Sequence, residues 1–217
     1  MVLAALVALQ VSLGQSVSGD TLRIRDVAGP PSPAGPLDTL AWGPPQITIP
    51  TRRGVVSLWL LRAADTVFVA ARMPDRSASW ADAIEVCLDI AGDRAAKLEH
   101  DDFRFALHRI LDSSVVYRGS NGRWQPPRDD PDWRVGPTHG GGGWEAAAAS
   151  DGSGWSVVLR LDPAWVAGEA GRWSAIAFVV HDDDPNGWYR WPILQGAGAA
   201  APIEDSPASW IPIGPAR

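Results

Sequence analysis

Apolar and polar residues alternate along several short segments of the chain, as they do in β-strands that bury one face. In residues 83–90, apolar side chains at the even positions alternate with Glu85, Cys87 and Asp89. Residues 103–108 repeat this period of two. Short apolar runs predict further strands at residues 55–61, 67–73, 114–118, 144–149, 156–161 and 175–180.

Turn-forming residues separate these runs. The chain has 22 glycines and 19 prolines among 217 residues, and short strands bounded by such residues are typical of a β-sandwich or barrel. Residues 62–66 predict a hairpin loop, and we expect the longest loops at residues 123–143 and 195–208. Because no repeat or linker divides the sequence, it predicts a single all-β domain over residues 20–217.

The first 19 residues have the pattern of an export signal. Residues 2–13 are almost wholly apolar and are followed by small polar residues up to Gly19. This run is shorter than the roughly 20 residues that a transmembrane helix needs, and no other segment could span a membrane. We therefore predict a signal peptide at residues 1–19 and a secreted or periplasmic protein, with a buried helix or strand as the alternative.

Charge and cysteine content exclude several classes of function. The 25 acidic and 19 basic residues give a net charge of −6, which argues against nucleic acid as a partner. The single cysteine, Cys87, excludes an intramolecular disulfide, a four-cysteine zinc site and a CxxC redox motif. GxSxG, HExxH, GxxxxGK[ST] and GxGxxG motifs are absent, so the sequence indicates a non-catalytic protein.

Tryptophan is unusually frequent. The chain has 12 tryptophans but only four phenylalanines and two tyrosines. We expect most of these indoles to pack in the core, but an indole also offers a flat face for stacking on a ligand. Two or three of them are therefore candidates for a binding site.

Residues 79–89, which read SWADAIEVCLD, resemble the W-x-x-D-S-V-E-I-F-L-D segment of family 9 carbohydrate-binding modules. Gly35-Pro36 replaces the family's Asp-Gly, and Val158 stands where the family usually has Glu. Further segments resemble the family in the same order, at residues 36–42, 66–75, 101–105, 154–161 and 176–182. The resemblance implies a DOMON-like, jelly-roll-like antiparallel β-sandwich.

The same resemblance implies a sugar-binding site. Members of this family hold a sugar between two tryptophan faces, and polar side chains bind its hydroxyls. Trp80 matches one of these positions; we expect Trp191 to be the other, with Trp188 as the competing choice. The polar neighbours expected to bind hydroxyls are Asp75, Asp82, Asn186 and Arg190. The predicted partner is a saccharide or polysaccharide.

A run of three carboxylates predicts a structural calcium site. Asp182, Asp183 and Asp184 follow the strand predicted at residues 175–180, and calcium prefers clustered oxygen ligands. The alternative is a solvated loop whose aspartates make turn hydrogen bonds.

Two other functions remain open at this point. DOMON-like sandwiches also include b-type haem proteins, in which Met73 could ligate the iron opposite His181 or His108. The third possibility is a structural module without a small ligand.

Overall fold

The computed structural model describes residues 21–32, 42–77, 79, 81–109, 114–126, 144–162, 174–181, 187–192 and 202–215. Their regular secondary structure is almost entirely β-strand. The strands are β1 (Leu22–Arg23), β2 (Arg25–Asp26), β3 (Ile47–Thr51), β4 (Gly54–Ala63), β5 (Thr66–Met73), β6 (Ala83–Asp89), β7 (Asp102–His108), β8 (Ser114–Ser120), β9 (Arg123–Gln125), β10 (Trp144–Asp151), β11 (Gly154–Leu161), β12 (Ala175–His181), β13 (Trp188–Trp191) and β14 (Ile211–Gly214).

The strands form two sheets that pack face to face. The larger sheet has the order β1-β14-β12-β6-β7-β8-β9, and β13 pairs with the free half of β12. The smaller sheet has the order β10-β11-β5-β4-β2, and β3 also pairs with β4. The predicted β-sandwich is therefore confirmed.

Two short pairings depart from the predicted antiparallel arrangement. β1 runs parallel to β14 in the larger sheet, and β2 runs parallel to β4 in the smaller one. Ile24, which lies between β1 and β2, is buried in the core. This segment therefore passes from one sheet to the other, and both sheets are mixed.

The inner faces of the two sheets form one hydrophobic core. Leu60 and Leu159 contribute from the smaller sheet, and Val86 and Phe178 contribute from the larger sheet. Aromatic pairs add edge-to-face contacts, as between Phe105 and Trp144, whose ring centroids are 5.1 Å apart. Along each of these strands, every second side chain points into the core, because successive side chains point to opposite faces of the sheet.

Every strand predicted from an apolar run is present, with ends displaced by no more than two residues. The sequence did not reveal β1, β2, β3, β9, β13 and β14. Residues 123–125 were predicted within a loop but form β9, because they pair with residues 118–120 of β8. The C-terminal part of the loop predicted at residues 195–208 contains two 3-10 turns, Ile203–Asp205 and Pro207–Ser209, the second of which extends one residue past it.

Residues 1–19 lie outside the described residues, so the signal peptide stays a prediction. Across the described part of the chain, no helix has the length and apolar character needed to cross a membrane.

The turn between β10 and β11 offers a direct test of the fold. Gly154 has a φ of +151°, and an added Cβ would collide with the backbone oxygen of Met73. Gly154→Ala should therefore lower the free energy of unfolding by at least about 2 kcal/mol. Gly152 lies in the same turn with open space around it, so Gly152→Ala should change that energy by less than about 0.5 kcal/mol. Urea denaturation of both variants measures the difference, and equal stabilities would contradict the described turn.

Candidate functional site

Polar and aromatic side chains cover the outer face of the larger sheet. In one cross-strand row, His181 pairs with Trp188 on one side and with Ala83 on the other, and Ala83 pairs with His108. In the next row, Val179 lies between Arg190 and Glu85. Since side chains alternate along a strand, all of these residues face away from the core.

The C-terminal segment covers one end of this face. Ile203 and Trp210 pack on the outward-facing Cys87 and Val179, and Trp210 Nε1 donates to the backbone oxygen of Ile203 at 2.7 Å. Cys87 is consequently fully buried, which raises the pKa of its thiol well above the usual value. His108, His181 and Trp188 lie at the other end, where β6 begins and β12 ends.

Glu85 is the centre of these polar groups. Its Oε1 lies 3.4 Å from His181 Nε2, and its Oε2 lies 3.9 Å from Arg104 Nη1. Burial by itself would raise the pKa of Glu85, but contacts with His181 and the positive charge of Arg104 outweigh it and lower the pKa. Glu85 is therefore a carboxylate near neutral pH and acts as a hydrogen-bond acceptor.

Several buried polar atoms on this face have no hydrogen-bond partner within the described residues. They are Glu85 Oε2, Arg104 Nε, His108 Nδ1 and His181 Nε2. Buried polar groups are usually paired, because an unpaired one loses its hydrogen bonds to water without replacement. The cluster includes both donors and acceptors, so it has the capacity to bind a group that does both.

Aromatic rings hold Arg104 in place. Its Cζ lies 4.4 Å from the centre of the Tyr117 ring and 5.2 Å from that of Trp124. Trp124 stacks on Trp210 with ring centroids 6.4 Å apart and planes within 4°. Its Nε1 also donates to Asp205 Oδ1 at 3.0 Å. The C-terminal segment therefore supports the orientation of Arg104.

Among the described residues of this face, Trp188 is the exposed tryptophan, with 51% of its surface accessible. Its ring centroid lies 4.0 Å from that of His181, and the Cζ of Arg190 lies 5.3 Å from the ring centre. Arg190 donates from Nε and Nη2 to both carboxylate oxygens of Glu204, at 2.8 and 2.9 Å. This hydrogen-bonded pair raises the pKa of Arg190 and fixes its guanidinium beside the indole.

Trp191 lies on the opposite side of the sheet from Trp188. It belongs to β13 and pairs with Phe178 of β12. Its ring is only 8% exposed, and its centroid lies 5.8 Å from that of Phe178 in the core. This corrects the choice between the two tryptophans, because the period of two in β13 points Trp188 outward and Trp191 inward.

Asp75 and Asp82 also differ from the prediction, because both carboxylates are buried. Asp82 Oδ2 accepts hydrogen bonds from the backbone N–H of Ser79 and from Arg109 Nη1, both at 3.1 Å. Asp75 Oδ1 accepts one from Arg53 Nη1 at 2.7 Å. Burial raises the pKa of Asp82 despite these bonds. Both aspartates shape the chain between β5 and β6 and do not line the surface.

The remaining predicted residues lie outside the described residues. Trp80, Asn186 and the run Asp182, Asp183 and Asp184 therefore stay predictions. Glu85 and Arg104 were not predicted as site residues, and His108 and His181 were considered only as haem ligands. The sequence pattern does contain this information, because each of them is a polar residue at an outward position of a strand whose core-facing positions are apolar.

The haem ligands considered from the sequence lie on opposite sides of the larger sheet. Met73 belongs to the core between the sheets, where it is 2% exposed. His108 and His181 lie on the outer face of the larger sheet. Met73 is therefore separated from both histidines by the backbone of that sheet.

Three carboxylates meet at the other end of β6. Ligand oxygens of Asp89, Asp93 and Asp101 lie within 4.8 Å of one another. Burial raises the pKa of Asp89, although its carboxylate accepts hydrogen bonds from the backbone N–H groups of Gly92 and Arg94, both at 2.7 Å. Such a group of oxygens has the chemistry of a calcium site.

His108 gives the folded protein a dependence on pH. Its burial and the positive charge of His181 lower the pKa of His108 below the usual 6.5. The unfolded chain therefore takes up this proton at a higher pH than the folded protein does. The contribution of His108 to the free energy of unfolding is therefore fully present above pH 6.5 and is lost as the pH falls through its lowered pKa.

The histidine responsible can be identified by substitution. In chemical denaturation, His108→Gln should make the free energy of unfolding at pH 5 higher, relative to its value at pH 7, than it is in the wild type. His100→Gln is the control, because the side chain of His100 is 81% exposed and should leave the pH dependence unchanged. An unchanged pH dependence in His108→Gln would contradict the assignment.

Comparisons with known proteins support the fold. No protein-family model matches the sequence, and no curated protein sequence matches it. Among solved structures, the chain is similar to a family 9 carbohydrate-binding module from Caldicellulosiruptor kristjanssonii in complex with glucose. Identity is 16%, the match covers 90% of this chain and 97% of that chain, and the TM-score is 0.54.

A second structure gives a similar result. The complex of a Caldicellulosiruptor kristjanssonii family 9 module with cellotriose matches at 16% identity and a TM-score of 0.52, over 89% of this chain and 93% of that chain. The chain therefore has a fold like that of family 9 carbohydrate-binding modules.

Proposed function

We propose that this protein is a non-catalytic saccharide-binding module. The saccharide would bind at the end of the outer face where Glu85, Arg104, His181 and Trp188 meet. One observation carries the proposal: Glu85 Oε2 and Arg104 Nη1 lie 3.9 Å apart, and each of the two side chains keeps a buried polar atom without a hydrogen-bond partner. The exposed Trp188 packs on His181, which contacts Glu85.

A sugar hydroxyl suits this gap, because it donates and accepts hydrogen bonds at the same time. It can donate to the Glu85 carboxylate while it accepts from the Arg104 guanidinium. Hydrogen bonds to charged groups are worth about 1.5–3 kcal/mol each, and the two charges already offset one another. The site therefore favours a neutral polyol over a charged ligand.

Trp188 supplies the apolar surface that a sugar ring needs. The axial C–H groups of a pyranose can lie on an indole face, while the equatorial hydroxyls reach the polar groups around it. Contacts with His181 and Arg190 restrict the indole before the ligand arrives. Such preorganisation reduces the entropy lost on binding. We propose Trp80 as the second aromatic face.

The two similar structures support this assignment because they contain glucose and cellotriose. We propose a secreted or periplasmic location as well, on the basis of the apolar run at residues 2–13. An exported module would meet polysaccharides outside the cytoplasm.

The direct test is a glycan array with the purified protein, followed by titration calorimetry with cellotriose and the best array ligand. We expect saturable binding and a 1:1 stoichiometry. A protein that binds no glycan on the array or in solution would instead be a structural module, and the proposal would fail.

Alanine substitutions at Trp188 and Trp191 distinguish a role in saccharide binding from a role in core packing. Trp188→Ala should weaken saccharide binding by about 2 kcal/mol, roughly thirtyfold in Kd, because an exposed stacking surface is lost. It should lower the free energy of unfolding by less than about 1 kcal/mol. Calorimetry and urea denaturation on the same variant measure both quantities.

Trp191→Ala is the matched control in the same strand. It should cost about 3–5 kcal/mol of stability, since it leaves a cavity in the core, while the folded fraction keeps its affinity. If Trp188→Ala bound normally, or if Trp191→Ala lost affinity without loss of stability, the proposed orientation of the site would be wrong.

We also propose that the fold binds calcium as a structural ion. The group Asp89, Asp93 and Asp101 supports this, and Asp182 is the alternative location from the sequence. Calcium should raise the Tm relative to a chelator, because a ligand of the folded state stabilises it. Asp93→Asn should remove the increase and Asp182→Asn should retain it. An equal Tm in calcium and chelator would overturn the proposal.

A further inference from the structure

A buried arginine lies next to the proposed saccharide site but does not belong to it. Arg109 directly follows β7, and its side chain is only 5% exposed. Its backbone N–H donates to the backbone oxygen of Asp82 at 3.0 Å. This bond extends the ladder between β6 and β7 by one residue beyond the pair Ala83 and His108.

The guanidinium of Arg109 binds the chain that joins the two sheets. This crossover segment, residues 74–82, leaves β5 of the smaller sheet and enters β6 of the larger sheet. Arg109 Nη1 donates to Ser77 O at 2.8 Å, to Asp75 O at 3.2 Å and to Asp82 Oδ2 at 3.1 Å. Its Nε donates to Ser150 Oγ on β10 at 3.2 Å, so the same side chain also contacts the smaller sheet.

The crossover segment borders the saccharide site. It ends at Asp82, and the next residue, Ala83, pairs with His108 on one side and His181 on the other. Two residues further along the same strand is Glu85. A displacement of the segment would therefore shift the beginning of β6 and the polar groups beside it.

Arg109 also balances buried negative charge in the segment. Asp75 Oδ2 and Asp82 Oδ1 have no hydrogen-bond partner in the described part of the chain. Arg109 Nη1 lies 4.0 Å from Asp75 Oδ2 and 3.1 Å from Asp82 Oδ2. Loss of one partner from a buried ion pair leaves an uncompensated charge that favours rearrangement toward water.

We propose that Arg109 is a positioning residue for saccharide binding. It touches no ligand; it holds the crossover segment in the conformation that completes the site at the beginning of β6. This inference rests on the proposed function. It predicts that loss of the three bonds from Nη1 weakens binding in the fully folded protein, which a purely stabilising role would not do.

The test uses two lysine variants of the full chain. Arg109→Lys keeps the positive charge but loses the planar set of donors. Arg62→Lys is the control, because Arg62 donates from two nitrogens to Asp26, at 2.6 and 3.1 Å, near the opposite end of the smaller sheet. Cellotriose binding is measured by calorimetry at least 20 degrees below the Tm of each variant, a margin of roughly the size needed to keep them folded.

We expect the Kd of Arg109→Lys to increase at least about fivefold, and that of Arg62→Lys to stay within about twofold, with 1.4 kcal/mol corresponding to a factor of ten. Normal affinity in Arg109→Lys, or an equal loss in both variants, would overturn the inference. If Arg109→Lys does not fold, Asp82→Asn removes the charge of the buried partner with little change of shape and should weaken binding in the same direction.

Hydrogen exchange separates this inference from the proposed function. Arg109→Lys should increase amide exchange at Ser77, Ser79 and Ala81 and leave the turn at Ala64 and Asp65 unchanged. Failure of the wild type to bind cellotriose or any array glycan would remove the proposed function, whereas unchanged exchange in the segment would remove the positioning role of Arg109.

Discussion

The burial of β6 on both faces is the constraint on which the rest of the structure depends. All seven of its residues are buried, although only every second side chain points into the core between the sheets. The other face carries Glu85, Cys87 and Asp89, so two carboxylates must be accommodated away from water. Each of the two carboxylates has local partners: His181 and Arg104 contact Glu85, and backbone N–H groups donate to Asp89.

The outer face is divided by the same constraint. The C-terminal segment covers the outward-facing Cys87, Ala177 and Val179 with Ile203 and Trp210. His181 and Arg104 contact Glu85, and an apolar cover would leave these polar groups without hydrogen bonds. The polar end is therefore suited to a ligand that brings its own donors and acceptors, while the apolar end is sealed by the chain itself.

Much of the fold could be predicted from the sequence, because period-two alternation and apolar runs mark strands that are buried over most of their length. β1, β2 and β9 are too short to show a period, and their pairing depends on distant partners. The site was harder to predict. Trp188 and Trp191 differ by an odd number of positions, so they lie on opposite faces, but only the pairing of β13 with β12 shows which one faces the core.

Asp75 and Asp82 illustrate a second limit of sequence reasoning. Two aspartates close to a tryptophan in the sequence are typical of a sugar-binding site. The same residue types also occur in buried turns, so the sequence alone does not distinguish the two. The deciding factor is Arg109, which is 27 residues away from Asp82 in the chain and meets it through the pairing of β6 with β7. A guanidinium that reaches several acceptors of one segment restricts that segment strongly. The precision of a site built on such a segment therefore depends on a residue that no local pattern identifies.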